Sequence, residues 1–326
     1  MASDKTEKND DYIPFGLRFK AWWNGVSAAQ ILAAERAKQE SSDDKSNPND
    51  IIVDEIEEEE PGVVWSNARL RLCNRLWGGE DAEEVVLPGG TQYTLDLSKP
   101  MGLDSSKTLL DLCAGQGGGT RRIAKEFQLW VEGMESDPVL AEKANELSAK
   151  HGMDKKAPVA HFDPDSIALR EGRYDGILMR ESMFKINNKQ HMLNSMFKAL
   201  KPRGHLIITD LVYKQENSEE HKTVEAWRKA YAPLEPKLWT MADYKKAVLD
   251  LSMDLHIHDE QTDEYNQMVL SGWAHFVEGL KKEELNRQFV SLMMEEAQYW
   301  LRLTRAFDAG EILFMRIHAT RGGESI

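Results

Sequence analysis

The stretch TLLDLCAGQGGGTRRIAKEF, residues 108–127, limits the fold more than any other part of the chain. An apolar run ends on a cluster of glycines, and a helical pattern follows directly. Such a strand–turn–helix unit leaves backbone N–H groups unpaired at the helix N-terminus, where they can meet a ligand. The same alternation continues downstream. Strands are expected at TLLDLC, LWVEGME, PVAHF, YDGILMR and GHLIITD, with helices at about 119–127, 137–151, 165–169 and 189–200. Strands alternating with helices predict a parallel sheet covered on both faces, with right-handed crossovers. A helical stretch around 219–231, a helix from about Met241 and a strand at DLHIHDEQ come next. Two long amphipathic segments then precede a closing strand within AFDAGEILFMRIHATRG, so two C-terminal strands complete the sheet around a helical insertion.

The acids around the turn decide which ligand it suits. A dinucleotide loop of G-x-G-x-x-G type places pyrophosphate on the helix N-terminus. Gly115 and Gly117 fit its first two positions, but Thr120 stands at the third, and Asp111 lies four residues before the first glycine. A carboxylate there is poorly placed beside a pyrophosphate and well placed for the ammonium of a methionine moiety. Glu135 follows Gly115 by twenty positions, where a carboxylate can accept from both ribose hydroxyls. Asp163, after the third strand, is placed to accept from an adenine amino group. Three acids ending successive strands therefore outline S-adenosylmethionine, a nucleoside without phosphates. An NAD enzyme and an ordinary strand–helix turn are the competing readings.

On these residues the chain resembles the class I, Rossmann-like S-adenosylmethionine-dependent methyltransferases. The family's first motif, an acid followed by LGCGxGG, corresponds to DLCAGQGG, with Cys113 in place of the usual first glycine and Ala114 at the small residue. YDGILMRESMF matches the fourth-strand landmark, and ALKPRGHLIITD the helix, turn and fifth strand. The resemblance covers roughly residues 105–260 plus the closing strand. It is nearest to the small-molecule branch, with its phosphoethanolamine, sterol, ubiquinone/menaquinone and glycine-betaine types. It implies an α/β fold: a doubly wound, mostly parallel sheet with an antiparallel C-terminal strand. It also implies a cofactor-binding set of Asp111, Cys113, Ala114, Gly115, Gln116, Gly117, Glu135, Ser136, Phe162, Asp163 and Arg180.

Methyl transfer is an in-line displacement on an already activated donor, so the protein mainly aligns the nucleophile and excludes water. Oxygen and carbon acceptors call for a base where the nucleophile must lose a proton, whereas an amine needs only to be unprotonated. Glu181 after the fourth strand, and Asp210 and Tyr213 after the fifth, are the candidate catalytic groups. Each has a structural alternative: a helix cap or structural carboxylate for Glu181, a loop anchor for Asp210, core packing for Tyr213. Arg180 can take an acceptor carboxylate or phosphate bidentately, or pair with Glu181. Trp22, Trp23, Trp239, Trp273 and Trp300 suit an onium cage, but aromatics at helical spacing are more often core. The nine histidines show no metal spacing, so no metal is expected.

Residues outside this domain say less. The N-terminal segment (1–60) reads as a Trp-rich helix, a second helix capped by Ser27 and a solvated acidic linker after eleven disordered residues. The methyltransferase domain is expected at 61–261 plus 308–326, with 262–307 as a lid or an oligomer interface. Within that domain, ahead of the glycine turn, PGGTQYTLDLSKPMGL reads as a loop with a short strand. The net charge of −14, from 55 acids and 41 bases, argues against nucleic acid as a partner. No apolar run approaches the ~18 residues of a span, and MASDKTEKNDDY has no leader-like core. Two cysteines form no disulfide framework, and a cytoplasmic location follows. The expected function is methyl transfer to a small-molecule acceptor. A cofactor-binding regulatory protein without catalysis and a macromolecule methyltransferase are the alternatives, and a homo-oligomer through either appended segment is also expected.

Overall fold

A computed structural model describes residues 15–27, 30, 64–78, 84–231 and 235–323 of the chain. The expected disorder of the first eleven residues, the acidic linker and nearly all of the helix after Ser27 lie outside the described residues.

A seven-stranded sheet organises the protein. Its strands are β1 (Thr108–Leu112), β2 (Trp130–Glu135), β3 (Val159–His161), β4 (Tyr174–Arg180), β5 (Leu200–Tyr213), β6 (Met253–Glu260) and β7 (Ile312–Arg321), in the order β3-β2-β1-β4-β5-β7-β6. All neighbours pair in parallel except β7, which runs antiparallel between β5 and β6. The expected doubly wound sheet is therefore present. Its central strands read as continuous apolar runs because both faces are covered: Leu109, Leu110 and Leu112 of β1 and Ile177, Leu178 and Met179 of β4 are all fully buried. The strand order reverses between β1 and β4, which opens a crevice at their carboxyl ends.

Ten α-helices surround the sheet among the described residues: α1 (Phe15–Trp23), α2 (Asn67–Trp77), α3 (Gly90–Ser98), α4 (Gly118–Glu126), α5 (Pro138–Lys150), α6 (Lys189–Ala199), α7 (Lys222–Ala230), α8 (Met241–Asp250), α9 (Thr262–Glu278) and α10 (Arg287–Asp308). Helices α1, α2, α7, α9 and α10 build a second apolar cluster against β5 and β7. Within it Phe19 stacks on Trp273 with ring centroids 5.4 Å apart, and Trp77 meets Trp300 edge-on at 4.8 Å. The tryptophans Trp22, Trp23, Trp273 and Trp300 thus pack on one another and on Phe19 and Trp77. Arg69 of α2 ties α10 in place through Glu296, whose second oxygen accepts from the Trp300 indole at 2.9 Å. No described helix is long and apolar enough to cross a membrane.

Two segments differ from the sequence expectation. Residues 165–169 form no helix, because Asp163 closes a turn by accepting from the Asp165 amide and the Ser166 hydroxyl. Residues 90–98, expected as a loop with a short strand, form helix α3. Its threonines and Tyr93 favour strands, but the Thr94 and Ser98 hydroxyls bond back to carbonyls one turn earlier, at 3.3 and 2.8 Å. Leu95 and Leu97 then bury against the sheet layer.

A strap, residues 84–87, crosses the glycine turn before α3. Glu84 is held by the Arg121 guanidinium at 2.7 Å and by His151 at 3.0 Å. The close approach needs the glycines: a Cβ on Gly118 would lie 2.5 Å from the Glu84 carbonyl oxygen, and one on Gly119 would lie 2.8 Å from the Thr94 methyl. Gly118→Ala gains up to about 1 kcal/mol of helix propensity and loses about 1–3 kcal/mol to overpacking. Urea unfolding is expected to show net destabilisation, and an unchanged midpoint would mean that the strap does not rest on the turn.

Candidate active site

The turn after β1 is a run of left-handed residues. Cys113, Gly115 and Gly117 have φ of 62°, 57° and 75°. At Cys113, where the resemblance places glycine, a side chain is forced into that region at a cost of about 1–2 kcal/mol. Hydrogen bonds hold the path: Ala114 N–H donates to the Met134 carbonyl at 3.0 Å, and Gly117 N–H to the Ala114 carbonyl at 2.9 Å. Gly115 N–H donates to the buried Glu135 carboxylate at 2.8 Å. The other Glu135 oxygen accepts from Asp137 N–H at 2.9 Å and from the Ser136 hydroxyl at 3.2 Å. Three donors leave about one of the carboxylate's four acceptor directions open. Gln116 pairs with Asn74, which joins the turn to α2.

Asp111 lies beneath this turn, its register in β1 opposite Gly133 and Leu178. Its carboxyl accepts from the Thr120 hydroxyl at 2.6 Å. Burial pushes its pKa up to about 6; Thr120 and then the Arg180 charge work against the rise, and Glu135 adds to it. This acid therefore titrates close to neutrality.

Arg180 ends β4 and fastens α3 to it. Its guanidinium donates to the Thr94 hydroxyl and to the Pro88 carbonyl at 3.0 Å, and lies 4.9 Å from the Tyr93 ring centre. It also pairs with Glu181 at 3.5 Å. Glu181, with φ of 40° and only 2% exposed, accepts from the Thr209 hydroxyl at 3.0 Å, and its Oε2 has no hydrogen-bond partner.

A cavity of about 40 Å³ is lined by Asp111, Cys113, Ala114, Gly115, Gln116 and Arg180 below, and by the strap and Thr94 above. The structure thus brings together β1, its turn and the end of β4, with Glu135 bracing the turn from β2. Ser136 is half-buried beside Glu135, Phe162 packs into the sheet core, and Asp163 is exposed within its own turn. Asp210 and Tyr213 lie apart from this cavity. Asp210 is fully buried and accepts from the Tyr244 hydroxyl at 2.6 Å; burial raises its pKa, with Tyr244 and then Lys189 opposing. Tyr213 packs into the apolar cluster under α7 and α9. Sequence reasoning missed the strap and α3, since neither carries a periodic or motif signal. Among the described residues no group of His, Cys, Asp and Glu could hold a metal ion.

Comparison with known proteins agrees with this geometry. Residues 90–247 match the family described as "Methyltransferase domain". Phosphoethanolamine N-methyltransferase 2 of Caenorhabditis elegans is 29% identical over 148 residues, 44% of this chain and 33% of that protein. The chain thus spans about a third of that relative's length. Sarcosine/dimethylglycine N-methyltransferase of Aphanothece halophytica is 20% identical over 70% of this chain and 84% of its own. In fold the chain is similar to Haemonchus contortus phosphoethanolamine N-methyltransferase 2, solved with S-adenosyl-L-methionine, with a TM-score of 0.65 at 16% identity over 80% of this chain and 61% of that one. The part of the chain that carries this turn is thus similar to methyltransferase domains, and its fold is similar to that of an S-adenosyl-L-methionine-bound methyltransferase.

Proposed function

We propose that the protein binds S-adenosylmethionine across the carboxyl ends of β1 and β2 and methylates a small molecule. The observation that carries this is the pair of buried carboxylates, Asp111 and Glu135, on either side of a glycine turn that one of them braces. The residues suit the group: Asp111 offers a carboxylate to an ammonium, Glu135 keeps an acceptor direction free for ribose hydroxyls, and Asp163 stands further along the same edge for an adenine amino group. Ser136 and Phe162 flank that path, and the turn from Cys113 to Gly117 supplies backbone and space without side chains. When bound, the cofactor supplies a methyl group activated on sulfonium. The strap must lift to admit it, and its return excludes water from the crevice.

An amine acceptor is favoured. Glu181 is enclosed and paired with Arg180, Asp210 is enclosed and bonded to Tyr244, so neither is free as a strong base, and an amine needs none. The relatives from Caenorhabditis and Aphanothece are both N-methyltransferases by name. On this reading Arg180 and Glu181 position the wall of the crevice, and Asp210 and Tyr213 support it from behind. Helices α9 and α10 serve as a cover for the acceptor side, and the two free thiols, Cys73 and Cys113, fit a cytoplasmic protein.

Glu135→Ala is expected to weaken S-adenosylhomocysteine binding by about 1–3 kcal/mol in calorimetry, and unchanged affinity would remove the ribose assignment. Asp111 gives a pH signature. Its folded pKa of about 6 exceeds the ordinary 3.8, so its contribution to the empty protein's stability is full below 3.8 and fades as pH rises through about 6. Cofactor binding uses the carboxylate and runs the opposite way. Affinity should fall as pH drops from 7 to 5, by up to about tenfold per unit below the pKa. Asp111→Asn should flatten that profile, and an equally steep profile in the variant would assign the titration to another group.

A further inference from the structure

Helix α2 carries an amide where its pattern calls for an apolar side chain. Leu70, Cys73 and Trp77 recur at helical spacing on its buried side, and Asn74 stands among them, one turn after Leu70. An amide among apolar neighbours is costly unless it is hydrogen-bonded.

Gln116 supplies the partner. Its side-chain N–H donates to Asn74 Oδ1, and the Asn74 amide donates back to Gln116 Oε1 at 3.4 Å. Gln116 is only 2% exposed, stands between the left-handed Gly115 and Gly117, and lines the cavity of the turn. From Ala114 to Gly119 no other residue has a side chain beyond Cβ. The hold that this arc of backbone takes through a side chain of its own therefore passes to Asn74.

The rest of α2 grips the two long C-terminal helices. Arg75 pairs with Glu284 at 2.7 Å and donates to the carbonyl of Gly279, at the end of α9, also at 2.7 Å. Arg69 holds Glu296 of α10 at 3.0 Å. Trp77 lies so near α9 that a Cβ on Gly272 would come within 2.6 Å of its ring, and the same ring meets Trp300 of α10. A ring packed that closely against a helix backbone moves with it. Helices α2, α9 and α10 all lie outside residues 90–247, the part that matches a methyltransferase domain.

We infer that Asn74 is a positioning residue for the glycine turn, and that through it α2 carries the occupancy of that turn to α9 and α10. This rests on S-adenosylmethionine binding at the turn, as proposed above. A ligand seated there fixes the backbone at Gln116, the amide pair fixes α2, and the two helices that α2 grips are ordered with it. The coupling is reciprocal, so whatever orders α9 and α10 also tightens the cofactor.

The test is hydrogen exchange read by mass spectrometry on the full chain, with and without saturating S-adenosylhomocysteine. In the unaltered protein the ligand should slow exchange at the turn, in α2 and across residues 262–308. In Asn74→Ala the slowing at 262–308 should be lost while that at the turn remains. Calorimetry should show S-adenosylhomocysteine bound about three- to tenfold more weakly by this variant. Alanine is the better helix former, so unwinding of α2 does not account for the loss. Asn74→Asp keeps the oxygen that accepts from Gln116 and should retain most of both effects. Asn74→Ser, whose hydroxyl is too short to reach Gln116, replaces the alanine variant if that one does not fold. Unchanged affinity in the alanine variant, or an aspartate variant no tighter than it, would overturn the inference. So would ligand-induced slowing at 262–308 that is absent from the unaltered protein or undiminished in the alanine variant. Failure of the unaltered protein to bind S-adenosylhomocysteine would strike the methyl-transfer reading instead. The positioning role is then decided in the empty protein, where Asn74→Ala should speed exchange of the 113–118 amides and equal exchange would remove it.

Discussion

The hydrogen bond from Gly115 N–H to the Glu135 carboxylate is the constraint on which the site depends. It joins the turn after β1 to the end of β2, and so fixes a backbone with three left-handed residues in five. Beside it only the Gln116–Asn74 pair steadies the turn through a side chain, because the glycines and Ala114 supply almost none. The same carboxylate holds the start of α5 through Asp137 N–H. One acid thereby sets the path of a ligand-facing loop and the entry to the helix beside it.

Around that point the protein encloses charge and satisfies most of it internally. Arg180 spends its donors on the carbonyls and hydroxyl that shape the start of α3, so the helix most foreign to its own sequence is held by a neighbouring strand's side chain. Glu84 does the same for the strap, through Arg121 and His151. Glu84 sits between a buried Arg121 and an exposed His151, whereas Arg180 and Glu181 are both buried.

The sheet and the glycine turn were legible in the sequence because each rests on a local pattern. Leu109, Leu110 and Leu112 form one apolar run, and Gly115 and Gly117 stand where only a left-handed backbone will do. Helix α3 was illegible because its stability is tertiary: Thr91, Tyr93 and Thr94 argue for a strand until buried hydroxyls and Arg180 are in place. Asp210 shows a different limit. Read as the end of the fifth strand, it lies instead within β5, which runs on to Tyr213, and pairs with Met315 of β7. Its side chain therefore faces Tyr244 in the core and not the crevice.

The most direct test is a crystal structure of the protein with S-adenosylhomocysteine. The nucleoside should lie across the carboxyl ends of β1 and β2, its ribose hydroxyls on Glu135 and its ammonium toward Asp111, with residues 84–87 displaced from the place they now hold over Gly118. A ligand bound elsewhere, or bound there with Glu135 out of reach of the ribose, would contradict the account.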